Sequence, residues 1–269
     1  MNWTRLTALV LSMVFSIALA QPGFARNVAL IVGNSKYHDS ISSLANPVND
    51  ATDIAAAFAL QGYDVVKALD VTQREMQKAL IDFRSKADTA DIAIVYYAGH
   101  GIEIEGKNYL VPIDARLSDE RSASLELIEV DTILEQISGA SKLRMLVLDA
   151  CRNNPFVTRI RSDGRGRSIG RGLGQMSNIG SDALIAFAAA AGEVTPDGEP
   201  GGNSPFTAAF LKAMQGPPVD VRILLGKVRD EMRLNWTRTQ PATYGSLGGS
   251  KIVINPVETV EPTPEPSIE

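Results

Sequence analysis

Short apolar runs alternating with helical patterns constrain this chain more than any other feature. The runs are Asn27–Val32 (NVALIV), Tyr63–Ala68 (YDVVKA), Asp91–Ala98 (DIAIVYYA), Leu143–Leu148 (LRMLVL) and Ala183–Ala189. Continuous rather than alternating apolarity belongs to strands buried on both faces, as in parallel sheets. Between the runs, Pro47 opens a helix through Ala51, Ile54, Ala55, Phe58 and Ala59. Asn49, Asp50 and Asp53 lie in its first turns, where acids suit the helix dipole, and Gly62 closes it. Thr72 caps a second helix over about Arg74–Ala87, and Val130–Ile137 supplies a third. The expected fold is α/β, a three-layer sandwich with a mainly parallel central sheet and helices on both faces. A hairpin is expected over Ile102–Val111 with its turn at Glu105-Gly106. Two further helices are expected at Pro205–Met214 and Val219–Arg233, and a short last strand at Lys251–Ile254.

The ends and one internal stretch fall outside this alternation. Arg5 precedes an apolar segment, Leu6–Ala20, that ends in the signal-peptidase-like Ala18-Leu19-Ala20. Residues 1–20 therefore read as an export signal, which places the mature chain in the periplasm or outside the cell. This 15-residue, mostly apolar segment falls short of the roughly 20 residues of a membrane span. A short uncleaved anchor is the alternative, and no stable span is expected once the signal is removed. Residues 157–180 hold five arginines (Arg159, Arg161, Arg165, Arg167, Arg171) among many glycines and are expected to form a mobile loop. The tail, 256–269, alternates acids with prolines and is expected to be disordered.

The net charge of −5 and 6% aromatic content argue against nucleic acid as a partner. A single cysteine excludes an intrachain disulfide, and with two histidines it leaves no basis for a structural zinc site. That cysteine, Cys151, and one of the two histidines, His100, follow apolar strands at the carboxyl edge, where parallel sheets gather their sites. Alone, a cysteine after a strand is commonly a small buried hydrophobe and a histidine there a hydrogen-bonded loop residue. Together they form a thiol and a base suited to nucleophilic catalysis at neutral pH. Gly99 and Gly101 flank the histidine and allow close backbone approach and amide donors for an oxyanion. Gly33-Asn34-Ser35-Lys36 matches neither phosphate-binding glycine pattern, and G-x-S-x-G is absent.

Tyr97-Ala98-Gly99-His100-Gly101 and Leu148-Asp149-Ala150-Cys151-Arg152 resemble the histidine and cysteine motifs of the caspase/metacaspase superfamily. They stand 51 residues apart, against roughly 50 in caspases. Ala29–Gly33, Leu44–Ala51 (LANPVNDA) and Leu184–Leu211 with Asn203-Ser204-Pro205-Phe206 resemble further parts of that family in the same order. The resemblance implies peptide-bond hydrolysis of protein or peptide substrates. Cys151 is then the nucleophile, His100 the group that protonates the leaving amine, and the amides of Gly101 and Cys151 the oxyanion donors. It also implies a peptidase domain over 26–255, divided into a large-subunit-like part (26–156), a basic linker (157–180) and a small-subunit-like part (181–255).

Asp149 stands two residues before the cysteine, and Asp50 falls on the acid of the Asn-Asp-Ala motif. Two carboxylates lining the primary pocket favour Arg or Lys by charge-assisted hydrogen bonding; for Asp50 a role as helix-start acid is the alternative. The arginines at 159–171 become candidate self-cleavage sites, or else a merely solvated loop. Arg152-Asn153-Asn154-Pro155 departs from the His-Ser-Gly that usually follows the metacaspase cysteine. No cofactor is implied. Calcium activation stays open, since Glu103, Glu105 and Asp114 show no dedicated oxygen cage. The competing reading is a caspase-like module that binds partners without catalysis. His38 is read as a surface residue, with a substrate-rim role as the alternative.

Overall fold

A computed structural model describes residues 26–38, 41–117, 122–151, 179–190, 197–236 and 240–257, with Cys151 described at its backbone. The elements run β1 (Asn27–Gly33), α1 (Pro47–Leu60), β2 (Asp64–Leu69), α2 (Gln73–Ala87), β3 (Ile92–Ile104), β4 (Lys107–Leu110), α3 (Ala123–Glu126), β5 (Ile128–Glu129), α4 (Val130–Gln136), β6 (Leu143–Cys151), β7 (Ala183–Phe187), α5 (Pro205–Gln215), α6 (Val221–Asn235) and β8 (Ala242–Ser246).

The main sheet is ordered β2-β1-β3-β6-β7-β8, its first five strands parallel and β8 antiparallel at the edge. The expected α/β architecture is the one observed. Successive residues of each central strand enter opposite cores. Ala29 and Ile31 pack with α1, α5 and α6, whereas Val28, Leu30 and Val32 pack with α2 and α4. Both faces are covered, so the central stretches Val28–Val32, Ile92–Val95 and Met145–Leu148 carry no polar residue, and each fully buried Val, Leu or Ile contributes roughly 1.5–3 kcal/mol.

Two strands run further than the apolar pattern indicated. The β3–β6 ladder continues past Ala98 and Leu148 through Gly99↔Ala150 to His100↔Cys151. His100 and Cys151 are thus the last pair of this ladder rather than loop residues. β3 then passes directly into the expected hairpin, whose Glu105 (φ 52°) and Gly106 (φ 78°) both carry the positive φ of a tight two-residue turn.

The expected strand at Lys251–Ile254 does not form. Val221 donates to the Ile252 carbonyl (2.7 Å) and Ile252 N–H to Asp220 (3.0 Å), so the segment fastens the start of α6 instead. The last strand is β8, which lacks apolar alternation and was not legible in the sequence. Its Gly245 (φ 113°) is required, since a Cβ there would lie 2.1 Å from the Ala183 carbonyl oxygen. The export signal at 1–20, residues 157–178 with the candidate cleavage sites, and the tail from 258 lie outside the described residues.

Candidate active site

β2 and β3 flank β1 on opposite sides, so the chain reverses its winding at β1 and opens a crevice at the carboxyl ends of the strands. The α1 helix is drawn close against this edge because residue 33 is glycine; a Cβ there would lie 2.3 Å from the Pro47 carbonyl oxygen. Buried Asn34 then ties the three strand exits together. Its backbone N–H donates to Ala98 O, its side-chain amide to Val111 O (3.2 Å), and its side-chain oxygen accepts from Val71 N–H (3.0 Å).

The loop after Asn34 folds over His100, which is 4% exposed. His100 Nε2 lies 2.8 Å from the Ser42 carbonyl oxygen. A carbonyl can only accept, so Nε2 carries the proton, and Nδ1 is the bare nitrogen of the neutral ring. Nδ1 is buried and has no hydrogen-bond partner among the described residues. The Tyr37 ring packs on the imidazole, centroids 4.6 Å apart. Burial pushes the His100 pKa below its ordinary value, against smaller upward pulls from the Ser42 carbonyl and the Asp197 charge. At neutral pH the ring is therefore uncharged and able to accept a proton.

In an extended strand, N–H and C=O of one residue point to the same side and alternate along the chain. Both backbone groups of His100 face the β1–β4 side, toward Tyr37 and Val111. The Gly101 amide therefore faces β6, where Cys151 is the paired position. The Gly101 N–H, expected to serve an oxyanion, belongs in this register to the ladder with the Cys151 backbone.

Asp50 and Asp149 come together beneath this edge, 1% and 6% exposed. Ser204, the N-cap of α5, joins them: its N–H donates to Asp50 Oδ1 (2.8 Å) and its hydroxyl to Asp149 Oδ2. Thr207 also donates to Asp149 Oδ2 (2.8 Å), so the buried Tyr96 hydroxyl, 2.5 Å from Thr207 Oγ1, is left to donate to Thr207. Asp197 stands nearby, held through Ala45 N–H to its side chain (2.8 Å), while Asn46 binds the Asp197 and Glu199 carbonyls. Desolvation raises both carboxyls. Asp50 goes up to about 8 with the Asp149 charge adding to it, and Asp149 to about 6 with Ser204 and Thr207 pulling back. Burial thus favours the neutral, protonated form of both acids.

Sequence reasoning picked out the pair of acids but missed the residues that unite them. Ser204 lies within the Asn203–Phe206 motif, which by itself assigns it no role. Thr207, Tyr96, Tyr37 and Asp197 carried no signal, because they are polar residues whose meaning depends on distant partners. His38 is exposed, as expected. Asp114 accepts from Gln73 N–H (2.8 Å) at the start of α2, and no group of three His, Cys, Asp or Glu suited to a metal ion occurs among the described residues.

Comparison with known proteins adds to this geometry. A family model described as "Caspase domain" matches residues 26–252. The human "Mucosa-associated lymphoid tissue lymphoma translocation protein 1" is 31% identical over 134 residues, which is 49% of this chain and 16% of the human protein. A "Paracaspase" of Dictyostelium discoideum is 25% identical over 135 residues, 48% of this chain and 32% of that protein. The chain thus spans less than a third of the length of each of these relatives.

Proposed function

We propose, for a chain that belongs to the caspase-domain family, that it is a cysteine endopeptidase acting through His100 and Cys151 and cleaving after Arg or Lys. The observation that carries the reading is the pairing of His100 with Cys151 at the end of the β3–β6 ladder, beside a neutral imidazole whose Nδ1 is free to accept.

The chemistry follows from the tautomer. Nδ1 takes the Cys151 thiol proton while Nε2 stays on the Ser42 carbonyl, which orients the ring and stabilises the imidazolium that forms. The thiolate attacks the scissile carbonyl carbon. The resulting oxyanion is received by the amides of Gly101 and Cys151 once the end of β6 releases them from the ladder. The imidazolium then protonates the leaving amine, the C–N bond breaks, and an acyl-enzyme remains on sulfur. Water hydrolyses the thioester with Nδ1 again as base.

Asp50 and Asp149 form the floor of the pocket for the residue before the cleaved bond. A guanidinium or ammonium entering there displaces the proton that Asp50 holds at neutral pH and gains charge-assisted hydrogen bonds. The N-terminal segment adds a proposal of export, to the periplasm or beyond.

A peptidyl acyloxymethyl ketone ending in arginine tests the assignment. Tryptic mass spectrometry should find one adduct, on Cys151, and none on Cys151→Ala. The aspartyl analogue should label at least about tenfold more slowly. A folded protein that Arg- and Lys-ended probes leave unlabelled would move the assignment to a caspase-like module that binds proteins without cleaving them.

A further inference from the structure

His100 sits at a break in the ladder on one side of β3. β1 pairs with β3 only as far as Gly33↔Ala98, and β4 begins at Leu110↔Gly101. Between them the His100 backbone would be short of partners, and a buried unpaired amide costs roughly 1–3 kcal/mol. Two phenols fill the break. The His100 N–H donates to Tyr37 Oη (2.8 Å). The Tyr97 hydroxyl reaches the His100 carbonyl (2.8 Å) and the Val111 carbonyl (3.0 Å), and Val111 N–H donates to the same His100 oxygen (3.0 Å).

The two hydroxyls lie 3.4 Å apart, and the rings are 7% and 0% exposed for Tyr37 and Tyr97. Room for them depends on Gly99. At φ 153° it holds a conformation that disfavours side chains, and a Cβ there would lie 2.5 Å from Tyr37 Oη and 2.6 Å from Tyr97 Oη. The Tyr37 ring also packs against the imidazole, tilted by 52° to it. One residue thus grips the His100 backbone and packs on its ring, while the other grips its carbonyl.

We propose that Tyr37 and Tyr97 are positioning residues for the reaction: together they fix the backbone of His100, so that Nε2 stays on the Ser42 carbonyl and Nδ1 stays free. The inference rests on the peptidase reading, and it makes the tyrosine of the Tyr97–Gly101 motif part of the catalytic geometry. Fixing a base within a few tenths of an ångström matters because misplacement by about 1 Å can lower a rate on the order of a hundredfold.

The test uses Tyr37→Phe and Tyr97→Phe in the full chain, each of which removes one oxygen and keeps the ring. With an arginyl peptide, kcat should fall about tenfold or more in each, while KM changes less than about twofold. With only two histidines in the chain, labelled imidazole nitrogens are readable by NMR, His38 being assigned through His38→Gln. In the wild type His100 should show one neutral tautomer, protonated on Nε2; in Tyr37→Phe the two tautomers should mix. Should Tyr37→Phe not fold, Tyr97→Phe carries the same measurements. Wild-type kcat together with an unmixed tautomer in either variant overturns the proposal. Absence of Cys151-dependent turnover in the wild type overturns the peptidase reading instead, and the tautomer measurement then decides the brace by itself.

Discussion

Asp50 and Asp149, separated by almost a hundred residues in the chain, are held by one residue: Ser204 donates its amide to the first and its hydroxyl to the second. The N-cap of α5 is therefore also the clamp of the proposed specificity pocket, and the behaviour of that pocket can be measured in several ways.

Neutralising either acid should weaken arginine recognition selectively. Charge-assisted hydrogen bonds contribute about 1.5–3 kcal/mol. Asp149→Asn and Asp50→Asn should therefore each lower kcat/KM for an arginyl peptide by about ten- to a hundredfold. Labelling of Cys151 by a small uncharged alkylating agent should change far less.

The same acids should make the fold pay in stability for the pocket. Their folded-state pKa values are raised, to about 8 and about 6, above the unfolded carboxyl value near 4. The folded protein thus holds these protons to higher pH than the unfolded chain does, and it loses stability as pH climbs from about 4 to about 8. Asp50→Asn keeps an oxygen for the Ser204 amide and removes the charge. It should melt higher than the wild type, by about 2 °C or more at pH 8.5, with a smaller difference at pH 5. Thermal melts at the two pH values check this.

Binding and turnover should respond to pH separately. Arg binds best when both acids are ionised, so KM for an arginyl peptide should fall as pH rises through the window from about 6 to about 8. Asp50→Asn should flatten that dependence. Catalysis needs neutral His100, whose pKa is held down by burial. The acid limb of kcat should accordingly lie below the ordinary histidine value near 6.5. Initial rates across pH 5–9 separate the two.

Gly99→Ala should be damaging out of proportion to one methyl group. The new Cβ would meet both tyrosine hydroxyls, and the φ of 153° adds strain, which together cost about 1–3 kcal/mol or more. A lower melting temperature and a lower kcat are expected, against little change for Gly106→Asn, whose positive φ suits asparagine and whose surroundings are open.

The alternation of buried strands and helices was legible because the middle of each central parallel strand is covered on both faces and carries only apolar residues. His100 and Cys151 were legible for a related reason, as the chain's single thiol and one of two imidazoles at the ends of such strands. Sequence periodicity could not show that β3 and β6 continue through these residues, since Gly99 and Asp149 interrupt the apolar pattern and only the ladder keeps them extended. Nor could it show β8, whose Thr243, Gly245 and Ser246 look like a loop until β7 supplies the partner. Ser204, Tyr37 and Asp197 act through contacts spanning dozens of residues, and no local pattern encodes those.

Peptide hydrolysis by the purified chain tests the central claim most directly. Reporter peptides ending in Arg, Lys or Asp should be compared for the wild type, Cys151→Ala and His100→Ala. Hydrolysis after Arg and Lys, falling below about a thousandth in both variants, is the expected result. Hydrolysis after Asp alone, or a rate that Cys151→Ala leaves unchanged, would contradict it.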